Sequence, residues 1–154
     1  MAKYRLLSNK ELKLMEKDFI EYLVVNSITA DDWIKLKKND PEKAQMILEL
    51  FSDVVLEKVL RKSQYLKKVN KDSILCFHYQ SNQVVLVGIQ ENIPGAITKL
   101  WTSQSYNIDD YELMHSEKEY KEQREIEMYR MIEKGAIISD GKLYKQLILL
   151  TVEK

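Results

Sequence analysis

PEKAQMILELFSDVVLEKVLRK, residues 41–62, is the stretch on which the fold turns. Asp40 ahead of it supplies a side-chain cap. Pro41 takes the first helical position, where a missing N–H costs nothing. At 3.6 residues per turn, Ala44, Ile47, Leu48, Phe51, Val54, Val55 and Val59 share one broad face. Met46, Leu50, Leu56 and Leu60 widen it. A helix apolar over more than half its circumference is expected to be covered on several sides, with the rest of the chain packed on it. Asp53 interrupts the run. It is expected on a solvated polar stripe with Gln45, Glu49 and Lys58, because a lone buried carboxylate is rarely tolerated.

Upstream of this helix the start signals repeat. Ser8-Asn9-Lys10-Glu11 is a capping box, with Leu7 and Leu12 at hydrophobic-staple positions. It predicts a helix from about Asn9 with Leu12, Met15, Phe19, Ile20, Tyr22 and Leu23 on one face, ending near 24–27. Thr29 and Asp32 form a second box opening a short helix, 30–38. Asp31 and Asp32 read as first-turn acids that complement the helix dipole rather than as a catalytic carboxylate pair.

Downstream the texture changes. SILCFHYQ (73–80) and QVVLVGIQ (83–90) are rich in β-branched and aromatic residues and are separated by Ser81-Asn82, which predicts a β-hairpin. Residues 65–69 and 111–115 are candidate further strands. Ile97, Leu100 and Trp101 are expected to tuck into the edge of the core from one or two helical turns at 96–101. Ser116 is expected to cap a helix over 117–134, ended by Gly135. Ser139 is expected to cap a last segment, 140–152, whose apolar spacing fits a helix better than a strand. The fold class is therefore α+β: an N-terminal three-helix group, a small mostly antiparallel sheet built on residues 73–90 with the central helix packed against it, and a C-terminal helix pair, in one domain spanning 1–154.

The totals restrict function. The chain has 154 residues, with 24 basic and 24 acidic side chains and no net charge. Nucleic acid held by a bulk positive field would need a basic excess. The single cysteine forbids an internal disulfide and fits a reducing compartment. The first residues lack a signal-peptide pattern, and no apolar run approaches the ~20 residues of a membrane span. A soluble cytoplasmic protein is expected. The four glycines, at 88, 95, 135 and 141, build no phosphate-binding loop. CxxC, HExxH, EF-hand and GxSxG patterns are missing, so no cofactor, metal or catalytic residue is assigned.

Two constellations remain. Cys76 and His78 share a strand face at i and i+2, which allows a thiolate–imidazole pair or half a metal site. A buried thiol beside an ordinary histidine is the simpler reading. Lys58, Arg61, Lys62, Tyr65, Lys67, Lys68 and Lys71 form a basic cluster with an aromatic inside it; residues 54–72 carry a net charge of +4. Phosphate contacts with ring stacking suit single-stranded RNA. Residues 109–127 carry −5 and supply an acidic counterpart.

ITADDWIKLKKNDPEKA (28–44), ELFSDVVLEKVL (49–60) and GAIISDGKLYKQL (135–147) resemble a family of small bacterial proteins of unknown function, mostly from Bacteroidetes. The resemblance spans most of the chain and is weakest over 91–110. It implies one cytosolic domain of shared architecture and transfers no site. The expected function is a non-catalytic cytoplasmic adaptor or regulator acting by protein contact, with another protein as partner or with self-association through the charged patches. The alternatives are an RNA-associated protein using the basic cluster, and a small thiol- or carboxylate-dependent enzyme.

Overall fold

Both predicted capping boxes are formed in the computed structural model, which describes residues 3–102 and 107–153. Ser8 Oγ accepts the Glu11 amide at 3.2 Å, and Glu11 Oε1 accepts the Ser8 amide at 2.9 Å. Thr29 and Asp32 repeat the exchange at 3.1 and 3.2 Å. The helices launched here are α1 (Asn9–Leu14), α2 (Glu16–Val25) and α3 (Ala30–Asn39), followed by α4 (Pro41–Lys62). The first predicted helix is thus present in two pieces, divided at Met15. Asp40 Oδ1 caps α4 through the Lys43 amide at 3.2 Å.

Chain contacts divide the protein into two compact units, Met1–Val59 and Leu60–Lys154. The first unit is helical. Phe19 meets Trp33 and Phe51 edge-on at 5.1 and 5.0 Å, and Tyr22 tilts onto Phe51 at 5.3 Å. Such pairs add specific geometry to apolar burial. The N-terminal segment is tied along α4. Asp53 accepts the amides of Lys3 and Tyr4 at 2.7 and 2.9 Å, and the Tyr4 hydroxyl donates to Glu57. The Leu7 amide donates to Ser52 Oγ, which donates to the Leu48 carbonyl. Asp53 is therefore a half-buried acceptor for two backbone donors, not a residue of a solvated stripe.

α4 also departs from expectation. Ala44, Phe51, Ser52 and Leu60 are buried, while Met46, Leu50 and Val54 are more than half exposed. Its apolar circumference is covered on one stripe only.

The second unit is a five-stranded antiparallel sheet with helices. Its elements are β1 (Tyr65–Val69), β2 (Ser73–Tyr79), β3 (Gln83–Glu91), α5 (Ala96–Thr102), a 3-10 turn (Ile108–Asp110), β4 (Tyr111–Glu119), α6 (Arg124–Glu133), β5 (Ile137–Ser139) and α7 (Lys142–Glu153). The strand order is β4-β3-β2-β1-β5. The predicted hairpin is β2–β3, with Cys76 opposite Val87 and Phe77 opposite Leu86. One sheet face carries Ile74, Cys76, Val85, Val87 and Ile89. It forms a single core with Leu143, Tyr144 and Leu147 of α7 and with Ala96 and Ile97 of α5. The helix that closes this core is α7. Leu100 packs at the edge of the core as expected. The side chain of Trp101 lies outside the described residues.

The predicted helix over 117–134 begins later. Ser116, Glu117 and Glu119 belong to β4, paired with Leu86, Val85 and Gln83. Glu117 and Glu119 lie along a sheet edge, where charge discourages pairing with another chain. Ser139 is likewise the last residue of β5 rather than a helix cap. α7 starts after Gly141 (φ +88), at which a Cβ would lie 2.6 Å from the Tyr65 ring, so that position combines a left-handed backbone with close approach.

Arg124, at the start of α6, fixes that helix to the sheet. Its guanidinium donates to the Leu60 carbonyl at 3.2 Å, to Ser63 at 2.5 Å and to Tyr79 at 3.2 and 3.0 Å. Arg124→Met should destabilise the protein by about 2–3 kcal/mol in urea unfolding, since it removes the guanidinium donors from the part-buried Ser63 and Tyr79 carbonyls. Lys at this position should not rescue, because one ammonium cannot span the three acceptors.

Glu11 gives a second prediction. The Arg5 guanidinium bonds both its oxygens, at 2.8 and 2.9 Å, and the Ser8 amide adds to this. Together they lower its pKa from 4.5 to about 2. Because the folded value is the lower one, the contribution to stability is present above 4.5 and lost as pH falls through about 2. Carbon-detected NMR titration of the Glu11 carboxyl should show the low midpoint, and Arg5→Ala should move it back toward 4.5.

Candidate functional site

Alternation along β1 separates the predicted basic cluster. Tyr65 and Lys67 pair with His78 and Cys76, on the face that α7 covers, and Lys68 points to the other. Arg61 and Lys62 lie on the last turn of α4, and Lys71 sits in the β1–β2 turn. Lys58 belongs to the helical unit.

The Tyr65 ring is occupied. It stacks on His78 at 4.5 Å, tilts against Tyr144 at 5.5 Å, and lies under Lys145 Nζ at 5.9 Å. The single aromatic of the cluster is thus a packing element, and stacking a base on it would require displacing these neighbours.

Cys76 and His78 do share a face, as predicted, but their surroundings suit neither thiolate nor imidazolium. Cys76 is 1% exposed, and burial pushes its thiol up to about 12. His78 is held below its ordinary value first by burial, then by the nearby positive charges of Arg124 and Lys145. Reactive cysteines need the opposite setting, electropositive and partly open. Among the described residues, no three His, Cys, Asp or Glu side chains gather closely enough to hold a metal ion. Among the same residues, no helix is long and apolar enough to cross a membrane.

Two concavities stand out instead, and neither was singled out by the sequence. In the helical unit a groove of about 340 Å³ runs between α2 and α4. Its floor includes Tyr22, Phe51 and Val55, and its lips carry Val25 and Val54. Val25 is 82% exposed and Val54 52%. Asp18 and Glu21 flank it on α2, and Lys58 on α4. The signal in the sequence was the excess of apolar positions on α4 over what one contact face needs.

In the sheet unit a groove of about 560 Å³ lies between α6 and the sheet face opposite α7. Its floor is two cross-strand rows, Phe77–Leu86–Ser116 and Tyr79–Val84–Lys118. Tyr120 holds the hairpin end, its hydroxyl lying 2.6 and 2.9 Å from the Gln80 and Gln83 carbonyls. Burial raises that hydroxyl to about 12 against the lowering effect of Arg124, so it stays protonated as a donor.

A family model matches residues 1–151 of this chain. The chain belongs to DUF6495, a family of unknown function. No curated protein and no solved structure matches it. For this DUF6495 member the functional reading rests on the surfaces just described.

The thiol gives a direct check. In the native protein Cys76 should resist iodoacetamide at about pH 8, and it should label rapidly once the chain is unfolded in denaturant. Fast native labelling, followed by mass spectrometry, would return the thiol to consideration as a nucleophile.

Proposed function

We propose that the chain is a non-catalytic cytoplasmic adaptor that works by protein contact, and that the α2–α4 groove of the helical unit is the contact surface. The observation that supports this reading is the exposed apolar rim around an apolar floor: Val25, Val54 and Val59 stand open beside Tyr22, Phe51 and Val55. Monomeric soluble proteins rarely leave large contiguous apolar patches uncovered. The shape suits an amphipathic helix of a partner, laid with i, i+3 or i+4, i+7 anchors on the floor. The flanks add direction. Asp18 and Glu21 on one side favour basic residues of the partner, and Lys58 on the other favours an acid. A free buried thiol supports a reducing compartment such as the cytoplasm.

An RNA-associated role draws less support, because the aromatic within the basic cluster is engaged by His78 and Tyr144. An enzymatic role through Cys76 would need a thiolate that burial opposes.

The test compares variants against a purified partner, obtained by affinity capture and then expressed alone. Val54→Asp should weaken its binding at least tenfold, about 1.4 kcal/mol, with an unchanged circular dichroism spectrum. Lys67→Glu with Lys68→Glu should leave binding within about twofold. The reverse pattern would move the contact to the basic cluster and overturn the groove assignment.

A further inference from the structure

The sheet-unit groove has a different chemistry from the helical one. Its floor grades from buried aromatic to open aliphatic. Phe77 and Tyr79 on β2 are buried, Val84 and Leu86 on β3 half-buried, and Ser116 and Lys118 on β4 exposed. α6 provides the roof through Glu127, Arg130, Met131 and Lys134, spaced to lie on one helical face. α6 covers only part of the sheet because Arg124 anchors it over the β2 end at the Tyr79 carbonyl. The β3–β4 half of that face is left as a slot. At about 560 Å³ the slot lies within the ~300–1,000 Å³ range of small-molecule sites.

Charge decides what such a slot accepts. Arg130 is paired with Glu122. Glu127, half-buried, lines the slot and accepts the Lys121 amide at 3.4 Å. Lys118, Lys121 and Lys134 have no ion-pair partner among the described residues. The interior therefore offers apolar surface and one carboxylate, which repels a deeply buried anion. The mouth offers three ammonium groups, which attract one held at the surface. A ligand that satisfies both has an apolar body and a single anionic head.

We propose that this groove binds a small amphipathic carboxylate. Its hydrocarbon lies on Phe77, Leu86 and Val84 beneath Met131, and its head sits at the mouth against Lys118 and Lys121. Lys118 is the favoured contact because it ends the same cross-strand row as Tyr79 and Val84, so an alkyl chain lying along that row brings its head to that ammonium. A lysine head suits a charge held in water-exposed position, where geometry need not be bidentate. The site is distinct from the α2–α4 groove, and its occupancy does not depend on a protein partner.

The probe is dodecanoate below its micelle concentration, titrated by calorimetry and by methyl NMR of the full chain. We expect saturable binding with shifts at Val84, Leu86 and Met131. Lys118→Glu with Lys121→Glu should weaken it at least tenfold; both positions are exposed, so folding is retained. Met131→Trp should block the slot, and Val54→Asp should bind as the parent does. Dodecanol should bind at least tenfold more weakly and dodecylammonium not at all. Dodecyl phosphate at equal affinity would keep the anionic-amphiphile site and overturn the carboxylate assignment. No binding up to about 1 mM, or equal binding of dodecylammonium, would overturn the proposal altogether.

Discussion

The second unit depends on the Arg124 guanidinium. It joins two stretches of chain to the start of α6: the end of α4 with the link after it, at Leu60 and Ser63, and the end of β2 at Tyr79. The Ser63 carbonyl follows the end of α4 and the Tyr79 carbonyl ends β2, while the Leu60 carbonyl also accepts the Ser63 amide at 3.2 Å. A planar donor fork can meet all three carbonyls at once, which no neutral side chain offers. Neighbouring Glu125, at 3.6 Å, balances part of that charge. The position of α6 then follows. Its first turn is pinned over the β2 end, and Met128, fully buried, closes the helix one turn further on. The slot over β3 and β4 is what this pinning leaves open.

Capping chemistry and hairpin texture made much of this architecture legible. Ser8 with Glu11 and Thr29 with Asp32 are local devices, so their residues carry the whole signal within four positions. Asp40-Pro41 marked the start of α4 for the same reason. The β2–β3 hairpin was visible because both strands combine β-branched residues with a polar two-residue turn. The errors fall where local signals are ambiguous. Acids after Ser116 describe a helix start and a charged edge strand equally well, and only pairing with β3 decides between them. Asp53 appeared to be a solvated interruption, because its partners are backbone amides some fifty residues away that have no side-chain signature.

The candidate sites were less legible, and the reason is geometric. A run of cations in sequence becomes a surface only if the backbone period allows it. Through β1 the period is two, so Lys67 and Lys68 part company, and Tyr65 goes with the face that α7 covers. Arg124 lies within the acidic stretch 109–127, where no local pattern marks it, although its contacts organise the unit. No sequence pattern announces a side chain whose acceptors are carbonyls, since every residue has one.

α4 shows most clearly how the two levels connect. Its apolar residues exceed what a single contact stripe can bury, and the expectation was more cover from within the chain. The structure leaves Met46, Leu50 and Val54 open while Asp53 and Ser52, between them in sequence, hold the N-terminal segment. Ser52 and Asp53 thus share the covered side of α4 with apolar Ala44 and Phe51, and Met46, Leu50 and Val54 stand on its open side. On the proposed adaptor reading, cover for that open side comes from a partner. The sheet-unit groove, ringed by lysines that stay in water, is suited instead to a ligand small enough to leave those lysines exposed. The two concavities differ in the property that separates macromolecular from small-molecule recognition: whether the rim itself is made to be buried.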